Sequence, residues 1–196
     1  MTDYFALLGF ERSSWLEVEE VNARFLELSS KAHPDRVHGE GDEAVRDANR
    51  RFAELNAAAV CLREPRERLQ HLLELETGSK QNFAQAIPAE LMDLVMRVGQ
   101  TCRSVDQYLA ERTKATSPMV QAQLFGQGLD WSDRVNELQQ AVGDLRGKAE
   151  IDLKEIAEHW PAEKAIPQLQ RLAHVFATVA RWEGQLKERF AALAAV

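Results

Sequence analysis

From Trp131 to Trp160 the apolar residues Trp131, Val135, Leu138, Val142, Leu145, Ala149, Leu153, Ile156 and Trp160 advance by three or four without a break. That step keeps them on one side of an α-helix, and so narrow a stripe predicts a helix packed along its length in a bundle or coiled coil. Pro161 closes it. A chain so committed must fold by packing helices, and its composition agrees. Ten Gly and six Pro in 196 residues supply too few turns for a β-sandwich, while 45% hydrophobic residues are enough for a core.

Two further long helices are predicted around this one. The first covers about 88–113 and carries Leu91, Met92, Leu94, Val95 and Met96, then Val98, Val105, Tyr108 and Leu109, so it is apolar over more than one face. The second covers about 163–192, with Leu169, Leu172, Phe176, Val179, Leu186 and Phe190. Between them, a short helix over Met119–Phe125 is expected, then a turn at Gly126–Gly128, with Asp130 capping the long helix. Three long helices close a bundle over 88–196.

The front of the chain reads as shorter helices. Asp3 caps a turn starting at Tyr4, and Gly9 stops it. Ser14 and Glu17 make a capping-box pattern for a helix through about Ala32, with Val18, Val21, Phe25 and Leu28 as its buried stripe. Pro34 ends it. A polar loop with Gly39 and Gly41 follows, then a helix over about 43–63 packed against the previous one as an antiparallel hairpin. Pro65 opens another helix carrying Leu69, Leu72 and Leu73. Residues 77–87 lack periodicity and form the best linker, so the expected organisation is a hairpin unit at 1–76, a linker at 77–87 and a bundle at 88–196.

The chain carries 31 acidic and 24 basic residues, a net charge of −7, and 1–76 is the more acidic part, which argues against nucleic acid as a partner. The longest apolar runs, Ala57–Leu62 and Phe190–Val196, are too short to cross a membrane, and the first residues have no secretory pattern, so a cytoplasmic location is expected. Cys61 and Cys102 form no Cys-x-x-Cys pair, and the histidines form no ligand pair, so no metal site is predicted. No phosphate loop, dinucleotide fingerprint or nucleophile arrangement is present; neither a cofactor nor an enzymatic activity is expected.

His33, Pro34 and Asp35 stand consecutively in the turn of the hairpin, where a chain of this composition would contain about 0.008 such tripeptides by chance. Proline holds His33 out of the helical region, which leaves an imidazole and a carboxylate on a stiff loop, suited to grip a partner's Arg or backbone amide. A turn in which Asp35 only caps the following residues fits the spacing equally well. Arg24 and Lys31, seven apart, share a helix face, with Arg36 just beyond, a basic stripe on an acidic unit that suits an acidic partner. An ordinary solvated face is the alternative for Arg24, since Glu19, Glu20 and Glu27 lie on the same helix.

The order YFALLGF at Tyr4–Phe10, ARFLELSSKAHPDR ending at Arg36, and FAELNAAAVCLREPRERLQHLL from Phe52 to Leu73 resembles a J-domain, the hairpin module that recruits and activates DnaK-class chaperones. The resemblance covers about residues 3–74 and includes Asn56, Ala57, Leu62, Pro65 and Arg68. It implies that His33, Pro34 and Asp35 contact the chaperone and promote its ATP hydrolysis without being catalysts themselves.

A J-domain followed by about 110 residues of helical bundle resembles the HscB co-chaperones of iron-sulfur cluster assembly. In that family an apolar patch on the bundle holds the cluster scaffold IscU and delivers it to a DnaK-class chaperone, HscA in many bacteria. The resemblance implies that Leu91, Met92 and Val95, with Phe176 on the last helix, hold the scaffold. Met96 and Gly99 stand where the family pattern carries glutamates. Plain bundle core is the alternative for the apolar residues. For the whole chain, the alternatives are a J-domain co-chaperone with another client and a structural helical protein that dimerises through the 131–160 seam.

Overall fold

The computed structural model describes residues 2–33, 41–80, 83, 87–159 and 165–195. Among them the chain forms helices α1 (Tyr4–Leu8), α2 (Val18–Lys31), α3 (Asp42–Arg63), α4 (Pro65–Thr77), a 3-10 turn (Ala89–Leu91), α5 (Met92–Arg112), α6 (Pro118–Glu158) and α7 (Ala165–Ala194). The fold is all-α, as the periodicities predict, with an N-terminal hairpin and a C-terminal helical bundle. Packing groups the residues into two compact units, Met1–Asn82 with Ile151–Ala173, and Phe83–Glu150 with His174–Val196.

In the first unit the Asp3 carboxylate accepts from the Phe5 and Ala6 N–H groups at 3.0 and 3.2 Å, and Gly9, at φ 76°, closes α1 in a left-handed conformation that a side chain would strain. α2 and α3 pair along an aromatic contact, Phe25 to Phe52, and the core beneath holds Phe5, Leu8, Val21, Leu55, Ala58, Leu62, Leu69 and Leu72. Val18, predicted on the buried stripe, is 41% exposed at the first turn of α2.

The capping box expected at Ser14 and Glu17 does not form. α2 begins only at Val18, and Glu17, its cap residue, makes no side-chain capping bond. Ser14 is fully buried and donates instead to the Leu153 carbonyl at 2.9 Å, while its own carbonyl accepts from Arg68 Nε at 3.0 Å. Ser14 lies 139 residues from Leu153, a distance no local pattern reports. Arg68, 1% exposed, also donates to the Leu62 carbonyl at 2.7 Å and lies 5.4 Å from the Trp15 ring centroid. Lys154 approaches the same ring at 4.5 Å and pairs with Glu17 at 3.3 Å. Loop 10–17, α4 and the last turns of α6 are therefore held through one buried guanidinium and one buried hydroxyl.

His71 provides the other polar anchor. Its Nε2 accepts the Tyr4 N–H at 3.1 Å, which requires a neutral ring, and the ring stacks on Tyr4 at 4.6 Å. Burial lowers its pKa below 6.5 against the opposing pull of Asp3 and Glu74.

Of the long register, Val135, Leu138, Val142 and Ala149 are buried in the second unit and Leu153 in the first, Trp131, Leu145 and Ile156 are half-buried, and Trp160 lies outside the described residues; the buried residues of the second unit also include Val98, Val105, Val179, Trp182 and Leu186. The expected break at Gly126–Gly128 is overturned, since α6 runs unbroken from Pro118. Gly128 serves close packing instead of turning the chain. The Tyr108 hydroxyl donates to the Leu124 carbonyl at 2.9 Å, and a Cβ at Gly128 would lie 2.5 Å from that hydroxyl. Arg146 bridges Glu150 and Glu183, and Arg189 pairs with Asp106 at 2.9 Å.

Two outcomes follow from the polar anchors. Arg68→Leu should lower stability by about 2–4 kcal/mol in urea titrations, because the Ser14 and Leu62 carbonyls lose their donor inside the core. Since folding depresses the His71 pKa, its contribution is present above pH 6.5 and is lost as pH falls through the folded value. His71→Phe should flatten the fall in stability between about pH 7.5 and 5, read by denaturant melts across pH; an unchanged slope would remove this role.

Candidate functional site

His33 lies just beyond α2, after Ala32, whose N–H closes the helix on the Leu28 carbonyl at 3.1 Å. The hairpin partner holds its ring: the Phe52 ring of α3 meets it edge-on at 5.8 Å and also contacts Phe25 at 6.3 Å. Arg63 covers the other part of this cluster, 5.4 Å from the Phe25 centroid. The imidazole remains exposed, so one face is seated while the ring stays accessible. Pro34, Asp35 and Arg36 lie outside the described residues.

Arg24 and Lys31 project from α2 and are both exposed. Glu27 stands between them, pairing with Arg24 at 3.0 Å and Lys31 at 2.8 Å, and these two cations, Lys31 first, hold its carboxyl below the ordinary range. The basic stripe is therefore a bridged triad rather than two free charges. The 24–27–31 spacing is the i, i+3 and i+4 geometry that pairs charges on a helix, so the sequence carried this signal. Pairs this exposed contribute little to stability and leave both cations within reach of a competing carboxylate. Arg24 also flanks a shallow groove of about 370 Å³ with Phe10, Glu20, Ala23 and Glu27.

The second predicted cluster divides by depth. Leu91 and Phe176 are 7% and 2% exposed and belong to the core of the second unit, Val95 is half-buried, and Met92 is 50% exposed. Met96, one turn beyond Met92, is 68% exposed, so the accessible apolar surface of α5 is a methionine pair with Val95 beside it. The recurrence of Met at i and i+4 was the available signal for Met96.

The Phe52 ring is the element of the hairpin on which both Phe25 and His33 rest. Phe52→Ala should cost about 1–3 kcal/mol in urea titrations with helix content retained; an unchanged midpoint would show that the cluster carries no packing energy.

No family model matches the chain. It is 30% identical over 74 residues to the co-chaperone protein HscB of Proteus mirabilis, covering 38% of this chain and 43% of that protein. It is 35% identical over 92 residues to the co-chaperone protein HscB homolog of Cupriavidus taiwanensis, covering 46% and 52%. The matches thus span about half the length of these curated relatives. Among solved structures, HscB from Vibrio cholerae superposes with a TM-score of 0.54 at 19% identity, covering 95% of this chain and 96% of that one. Human HscB gives 0.63 at 16% identity, covering 97% and 81%. Identities this low speak for the fold alone. Over the matched segments this chain is similar in sequence to proteins named HscB, and over nearly all of its length its fold is similar to that of HscB structures.

Proposed function

We propose that this chain is a non-enzymatic J-domain co-chaperone of iron-sulfur cluster assembly, acting in the cytoplasm. The hairpin over 1–76 stimulates ATP hydrolysis by a DnaK/HscA-class chaperone through His33, Pro34 and Asp35, with Arg24, Lys31 and Arg36 as its electrostatic guide. The helices over 88–196 hold a client, the scaffold IscU, through Leu91, Met92, Val95 and Phe176; Met92 and its neighbour Met96 are the exposed contact, and Leu91 and Phe176 the buried support. The observation that carries this reading is the seating of His33: a histidine at the end of α2, with its ring against Phe52 and still exposed, is arranged to be touched by a partner. The likeness to proteins named HscB supports it.

The chemistry is recognition, not bond breaking. Chaperone and client are brought to one chain, so the client is presented at high effective concentration when the chaperone hydrolyses ATP. An imidazole and a neighbouring carboxylate on a proline-stiffened turn offer hydrogen bonds with little entropy left to lose. Arg24 and Lys31 exchange Glu27 for acidic groups on the chaperone, so engagement weakens as salt rises. A second reading, a co-chaperone for a different client, is favoured by Met96 and Gly99 at positions where glutamates stand in the family pattern.

Steady-state ATP hydrolysis by the DnaK-class chaperones of the same organism is the test. Stimulation should rise further when IscU is added, and His33→Gln should abolish it while the helix signal and melting midpoint remain. Stimulation indifferent to IscU would leave the different-client reading, and full stimulation by a folded His33→Gln variant would overturn the role of the turn.

A further inference from the structure

A groove of about 370 Å³ in the second unit is lined by Arg97, Gln100, Thr101 and Ser104 of α5 and by Trp131 and Arg134 of α6. Its two guanidinium groups differ from the other arginines whose pairing shapes this unit. Arg146 and Arg189 are committed to carboxylates, whereas neither Arg97 nor Arg134 has an ion-pair partner among the described residues. Glu137, the carboxylate in the lining, pairs with neither. Arg134 is held by a ring instead, 4.8 Å from the Trp131 centroid, a stacking that orients a guanidinium while leaving its edge free for a planar anion. Thr101 and Ser104 add hydroxyl donors. Gln100 lies one turn beyond Met96, so the groove borders the exposed methionines of α5.

We propose that this groove docks an acidic segment of the protein held by this unit. Carboxylates of the segment pair with Arg97 and Arg134, and an apolar neighbour rests on Met92 and Met96. The inference rests on the reading that this unit holds a client, and it adds the chemistry of the segment. Two discrete cations with a stacked ring suit side-chain carboxylates spaced along a peptide. The net charge of −7 repels polyanions of either kind, so what favours a peptide is the pair of separate guanidinium forks, each of which takes one side-chain carboxylate. That same net charge repels acidic peptides elsewhere, so their capture needs a local cationic site.

The test is fluorescence anisotropy of fluorescein-labelled decaglutamate with the full chain at about 20 mM salt, where screening is weak. Binding should be weakened about tenfold or more in the Arg97→Glu, Arg134→Glu double variant, and partly kept when both become lysine. Both positions are exposed, and unchanged circular dichroism checks that the variants fold. Absent binding, or equal binding by the double variant, would overturn the proposal, as would tighter binding of a labelled thymidylate decamer lost in the same variant. Chaperone stimulation without client, measured in parallel, should be the same in the double variant and the unmodified chain. If no chaperone is stimulated yet decaglutamate binds through the two arginines, the co-chaperone reading falls and the groove stands.

Discussion

The first unit depends on a charged side chain buried where charges are expensive. Arg68 is 1% exposed, and removing a guanidinium from water costs several kcal/mol unless its donors find acceptors. Here Nε and Nη1 find the main-chain carbonyls of Ser14 and Leu62, which would otherwise be unsatisfied themselves, and the guanidinium lies over the Trp15 ring. The planar fork reaches two carbonyls from different segments at once, a task a lysine ammonium performs poorly. Because Ser14 also donates to Leu153, the same few atoms tie α4, loop 10–17 and the last turns of α6 together.

With that base in place, the α2–α3 hairpin can present its tip. At the end of α2 His33 is held by packing: Phe52 contacts both Phe25 and His33, and Arg63 lies over the Phe25 ring. Charge on α2 is arranged in the same economical way. Glu27 holds Arg24 and Lys31 by exposed pairs, which keeps the stripe ordered without committing it, because such pairs are worth too little to resist exchange.

The second unit solves a different problem. α5 is apolar over more than its core stripe, and the excess surfaces as the exposed, flexible side chains of Met92 and Met96. Beside them lie Arg97 and Arg134, which pair with no carboxylate among the described residues, while Arg146, Arg189 and the Tyr108 hydroxyl bond tie the helices of the unit together.

Much of this was legible from residue order. The three- and four-residue steps located every long helix, Pro65 opened α4, and His33-Pro34-Asp35 stood out between two helices. These features are local, because a helix repeats within one turn and a cap acts within four residues. Other features depended on neighbours far along the chain. Ser14 looked like a helix cap and became a buried donor to Leu153; Gly126–Gly128 looked like a turn and became part of α6, where Gly128 meets Tyr108. Leu91, Met92 and Phe176 were alike in the sequence as apolar helix residues, but only Met92 is left uncovered. Periodicity states which way a side chain points from its own helix. What covers it, and whether it is core or surface, is decided by the surfaces brought against that helix, and only tertiary packing supplies those.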